Sequence, residues 1–87
     1  MIVTINEAKS YLRVDFDDDD LLISSLIDSS EKLVSDTLRK ELTDTFFIRI
    51  AVLYCVAYLY EHRENADMAE LTKNLRHLLS TEREDKF

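Results

Sequence analysis

The chain has 87 residues, 46% of them hydrophobic and 33% charged, which is enough apolar surface for one modest core and too little for two. It contains no glycine and no proline, where average usage gives roughly ten such residues. That excludes glycine-rich phosphate loops and disfavours the tight primed turns of β-hairpins. The 18 acids against 11 bases leave a net charge of −7, which opposes a broad nucleic-acid footprint.

The spacing of Thr4 and Glu7 is that of a capping box, in which each side chain satisfies the other's unpaired amide. It predicts a first helix over Ile5 to Arg13, with Ile5, Ala8, Tyr11 and Leu12 on one face. The acids Asp15, Asp17, Asp18, Asp19 and Asp20 break this pattern and suit the positive end of a new helix. That second helix is expected from Asp18 to about Lys40. Its broad apolar stripe comprises Leu22, Leu26 and Leu33 beside Ile23, Ile27, Val34 and Leu38. Ser24, Asp28, Glu31, Ser35 and Arg39 fall on the opposite, wet side, and Ser29 and Ser30 offer a place of close approach.

Thr43 or Asp44 is placed to cap a third helix from about Thr45 to Arg63, in which residues 46–60 include one charged side chain, Arg49. Advancing each residue by about 100° around the axis resolves two apolar ridges. One is Ile48, Val52, Cys55 and Leu59; the other, almost opposite, is Phe46, Ile50, Leu53 and Ala57. A helix apolar on both faces must be covered twice, so self-association is expected. The helix is too short and interrupted to span a membrane. Asn65 or Asp67 can start a last helix with the stripe Met68, Leu71, Leu75, Leu78 and Leu79, ending near Glu82. The expected architecture is all-α: a small bundle of about four helices, with a long amphipathic second helix and a mostly buried third. It forms one domain over residues 1–87, with 83–87 frayed.

Few patterns carry chemistry. Asp15, Asp17 and Asp19 match the first ligand positions of a calcium loop, but Asp20 stands where the turn needs glycine and Leu26 where a bidentate carboxylate belongs. Capping and solvation are the plainer account of Asp17, Asp18, Asp19 and Asp20. Glu61 with Glu64, and Glu82 with Asp85, reproduce the paired carboxylates of all-helical magnesium-dependent nucleotide pyrophosphohydrolases. The second pair, however, sits in the last six residues without apolar flanks to hold it. A third reading is an acidic regulatory protein that mimics DNA toward a basic partner. His62 and His77 lack partners at nucleophile or metal spacing, and Cys55, on an apolar ridge, reads as packing. No catalytic residue, metal ligand or cofactor site is assigned, and no enzyme is expected. The N-terminal stretch to Arg13 lacks the pattern of a secretory signal, so a cytoplasmic setting is expected.

Two segments resemble the head-tail connector proteins of tailed phages and prophages, a family of DNA-packaging and virion-assembly proteins. One is the opening Met1-Ile2-Val3-Thr4-Ile5-Asn6-Glu7-Ala8-Lys9-Ser10-Tyr11-Leu12-Arg13-Val14-Asp15, followed by further acids and Leu21-Leu22-Ile23. The other runs from Ala51-Val52-Leu53 to Tyr58-Leu59-Tyr60-Glu61-His62-Arg63-Glu64 and is similar to the family's apolar helix ending in Tyr-Glu-x-Arg-Glu. Family members continue with a proline-containing loop, which this chain lacks. The resemblance implies a structural ring of about twelve identical subunits that contacts portal and tail-completion proteins and lets DNA pass without specific binding. It also implies assembly in the host cytoplasm and a final place at the virion's head-tail junction. Arg49, Glu61, Arg63 and Glu64 are the expected interface or orienting ion-pair residues. Asp17, Asp18, Asp19 and Asp20 are the expected acidic lumen or helix cap.

Overall fold

The structure, a computed structural model, describes residues 2–39 and 42–84, the side chains of 81–84 excepted. Among the described residues there are four helices and no strand: α1 (Ile5–Leu12), α2 (Asp20–Leu38), α3 (Phe46–Glu61) and α4 (Met68–Glu84).

The capping box starts α1 as its spacing predicts. The Glu7 amide donates to Thr4 Oγ1 at 3.1 Å and the Thr4 amide to Glu7 Oε1 at 2.9 Å. The helix stops at Arg13, whose backbone turns left-handed (φ 62°) and donates to the carbonyls of Lys9 and Ser10. Arg39 ends α2 in the same conformation (φ 61°). Glycine commonly takes such positions, so a glycine-free chain accepts roughly 1 kcal/mol of backbone strain at each end.

Helix α2 begins at Asp20 rather than Asp18, and Lys40, its expected end, lies outside the described residues. The cap expected of the acidic run is not made by a side chain. Asp19 occupies the cap position without a cap hydrogen bond, while Asp20 stands in the first turn, where the helix dipole favours a carboxylate. The fully buried stripe is Ile23, Ile27, Ser30, Val34 and Leu38, and Leu22, Leu26 and Leu33 are half-buried flanks. Ser30 sits in the centre of that stripe, and its hydroxyl has no hydrogen-bond partner among the described residues.

The cap of α3 is Thr45 instead of Thr43 or Asp44; its hydroxyl accepts from the Ile48 amide at 3.2 Å. Of the two ridges, Ile48, Val52 and Cys55 are buried together with Ala51 and Val56. On the other, Ile50, Leu53 and Ala57 are half-buried, and Phe46 is 79% exposed. Asp67 caps α4 by accepting from the Glu70 amide at 3.1 Å. Leu71, Leu75 and Leu79 form its buried stripe, but Met68 at the first turn is 48% exposed. The helix reaches Glu84, two residues past the expected end, and residues 85–87 of the segment expected to fray lie outside the described residues.

α2 and α3 share the largest packed surface, and α1 and α4 each rest on both of them without touching one another. The six largest fully buried side chains, Ile23, Ile27, Ile48, Leu71, Leu75 and Leu79, come from α2, α3 and α4, and burying each is worth about 1.5–3 kcal/mol. The core is therefore the three-helix contact, closed at one end by α1 and by Val3, which is 1% exposed.

Candidate interaction surfaces

Arg49 is a hub on the flank of α3 that faces α1. Its guanidinium pairs with Glu7 of α1, donates to Asp44 Oδ1 at 3.1 Å and to the Ile2 carbonyl at 3.0 Å, and is 29% exposed. On the other side of the same N-terminal segment, Glu31 Oε2 accepts from the amides of Ile2 at 2.6 Å and Val3 at 3.2 Å. The Ile2–Val3 backbone is thus held between a cation and a carboxylate, which give both amides and the Ile2 carbonyl the partners that burial requires. Glu31, placed on the wet side by helical period, is half-buried because this segment lies over it. Its partners are 28 and 29 residues away, so no local signal in the sequence announces it.

The other residues expected to act with Arg49 are placed differently. Arg63 donates to the Tyr60 carbonyl at 3.0 Å, and its guanidinium carbon lies 4.7 Å from the centre of the Tyr60 ring. Glu61 and Glu64 are exposed, and neither forms an ion pair among the described residues. Of the carboxylate pair further along, the Glu82 side chain and Asp85 lie outside the described residues. Among the described residues no three His, Cys, Asp or Glu side chains gather as metal ligands. Cys55 is buried, and burial pushes its thiol up to about 12, far from a reactive thiolate.

The acidic run between α1 and α2 is ordered by contacts within the chain. Lys9, whose side chain is 12% exposed, reaches Asp17 Oδ1 at 2.8 Å and Asp20 Oδ1 at 2.9 Å. Tyr60 donates its hydroxyl to Asp19 Oδ2 at 2.6 Å. That hydrogen bond, with burial second, raises the Tyr60 phenol above its ordinary value. Three of the four carboxylates expected to cap a helix or line a lumen, Asp17, Asp19 and Asp20, are therefore engaged inside the subunit. Asp18 is exposed, as are Asp15 and Phe16.

The hydrogen bond from Lys9 holds the Asp17 carboxyl below the ordinary 3.8, and the same bond, with that to Asp20, raises the ammonium above 10.5. A carboxyl depressed on folding stabilises the folded state above its unfolded value and loses that contribution as pH falls through the lower folded one. A raised lysine contributes below its unfolded value and loses it as pH rises through the higher folded one. The turn is therefore fully tied from weakly acid to weakly alkaline pH and loosens at both extremes. In a carboxyl NMR titration, Asp17 is expected to show a midpoint below 3.8 that moves back up in Lys9→Met. An unchanged midpoint would show that the ammonium does not govern it.

On the opposite flank of α3, tyrosines bond to α4 and to the Asp67 cap before it. Tyr58 accepts from the Asp67 amide at 3.1 Å, and Tyr54 accepts from Asn74 Nδ2 at 3.2 Å. Below them Tyr54, Asn74, His77 and Leu78 line a groove of about 290 Å³ between α3 and α4. Three surfaces thus lie around α3: the tied acidic turn on one flank, the groove on the other, and between them the outward ridge of Phe46, Ile50 and Ala57.

The sequence matches the family model described as "Phage gp6-like head-tail connector protein" over residues 2–83. No curated protein and no solved structure matches it. The match spans nearly the whole chain, and the protein belongs to the phage head-tail connector family, a family of structural proteins. Among the described residues no helix is long and apolar enough to cross a membrane.

Proposed function

We propose that this protein is the repeating subunit of a head-tail connector ring in a tailed phage or prophage, joining the portal to the tail-completion proteins while DNA passes through the centre. The observation that carries the reading is the outer ridge of α3. Phe46 is 79% exposed, Ile50 and Ala57 are incompletely covered by their own chain, and no charged side chain lies between Arg49 and Glu61. Such a surface gains by being buried against another molecule, and family membership makes an identical neighbour the fitting partner. The ring takes shape in the host cytoplasm and is used in the virion.

Passage of DNA without adhesion follows from like charge. With Asp17, Asp19 and Asp20 engaged internally, the repulsion rests on the chain's net −7 more than on a lumen built from that run. Glu61, Arg63 and Glu64, grouped at the end of α3, are offered to neighbouring subunits.

Electron microscopy and sedimentation of the concentrated protein test this. The expected result is rings of one symmetry that disperse in Ile50→Glu, with helix content unchanged. A strictly monomeric particle at every concentration would end the proposal.

A further inference from the structure

The α1–α2 turn and the first turn of α2 that follows it present two apolar side chains that stay outside the core. Phe16 is 49% exposed and Leu21 is 87% exposed, and neither belongs to the core or to the layer packed against it. Yet this turn is tied at three of its carboxylates, because Lys9 holds Asp17 and Asp20 and Tyr60 holds Asp19. An apolar knob fixed in place before binding loses little freedom when it docks. Around it, Asp15 and Asp18 are exposed carboxylates that take part in none of these ties.

A complementary surface exists on the same molecule. The groove between α3 and α4 is walled by Tyr54 and Leu78 and rimmed by Asn74 and His77. Beside it Lys73, Arg76 and His77 are exposed on α4, and residues 69–80 include one acid, Glu70. In a chain of net charge −7 this helix surface is locally basic, opposite in sign to the turn.

Turn and groove cannot meet within one subunit. The turn is bonded to the Tyr60 flank of α3 and the groove opens on the Tyr54 flank, and α1 and α4 do not touch. A surface that fits a different surface of an identical molecule makes head-to-tail contacts, which close into a ring when the rotation allows.

Building on the ring reading above, we propose that the acidic α1–α2 turn of one subunit, with Phe16 and the adjoining Leu21 of α2 as apolar knobs, seats in the α3–α4 groove of the next subunit, opposite Lys73, Arg76 and His77. Apolar burial supplies the adhesion, and the charges set the order of the pair and exclude turn-to-turn contact.

The test places a photo-crosslinking benzoylphenylalanine at position 16 in the full chain and irradiates a concentrated mixture of isotopically light and heavy protein. The expected products join position 16 of one isotope to peptides holding Tyr54 or residues 74–78 of the other. In parallel, Asp15→Lys with Asp18→Lys is expected to weaken association by about tenfold or more. Lys73→Glu with Arg76→Glu should do the same, and combining all four changes should restore it. Each variant is first checked for unchanged helix content. Assembly with crosslinks on another surface, or charge swaps without effect or without mutual rescue, overturns this contact and leaves the ring standing. If instead the unmodified protein does not associate at all, both proposals fall together.

Discussion

Ile27→Ala is expected to cost about 3 kcal/mol, while Ser30→Ala, one turn along the same buried face of α2, is expected to gain about 1 kcal/mol. Both side chains are fully buried against the other helices. Removing the larger one deletes apolar contacts and leaves a void that helices fixed on three sides cannot fill. Removing the serine hydroxyl deletes a polar atom that burial has stripped of water and to which the described residues give no partner. In a protein of this size the first change lowers the thermal midpoint by about 15 °C and the second raises it by about 5 °C. Thermal unfolding at a dilution where subunits are separate measures both. A loss on Ser30→Ala would mean that the hydroxyl has turned back onto a carbonyl of its own helix.

Arg49→Ala should cost about 2 kcal/mol, because it leaves Glu7, Asp44 and the Ile2 carbonyl without their shared donor. Arg49→Lys retains the charge but not the planar fork that serves several acceptors at once, and is expected to recover about half of that loss. The damage should also be local. Amide exchange is expected to rise in α1, which Arg49 ties to α3, and to stay unchanged in α4, which does not touch α1. Uniform loss of protection along the chain would assign Arg49 to general packing and not to this clasp.

Local spacing carried most of the fold. The Thr4–Glu7 box and the Asp67 cap involve residues three apart, and the stripes of α2 and α4 repeat at helical period. What spacing could not supply was the far partner. Glu31 has the period of a solvent-facing residue and is covered only because the chain's start folds back over it. Lys9 and Tyr60 organise the acidic turn from outside the run of aspartates, so the run itself read as caps or lumen. Met68 fits its stripe by period yet is 48% exposed. Of the candidate site, the two-sided apolarity of α3 and the prominence of Arg49 were legible. The partners of Arg49, and the lack of an ion pair at Glu61 and Glu64 among the described residues, depend on distances between helices that one-dimensional periodicity does not contain.

The left-handed ends of α1 and α2 also bear on why the chain can do without glycine altogether. Replacing Arg13 or Arg39 by glycine would relax a strained dihedral worth roughly 1 kcal/mol in the native state. It would also widen the conformations open to the denatured chain, which costs about 0.4–1 kcal/mol in the opposite direction. The two effects nearly cancel, so selection for stability has little to act on at either position. The arginines remain as positively charged helix ends, set against carbonyl dipoles that favour them, in a molecule otherwise dominated by negative charge.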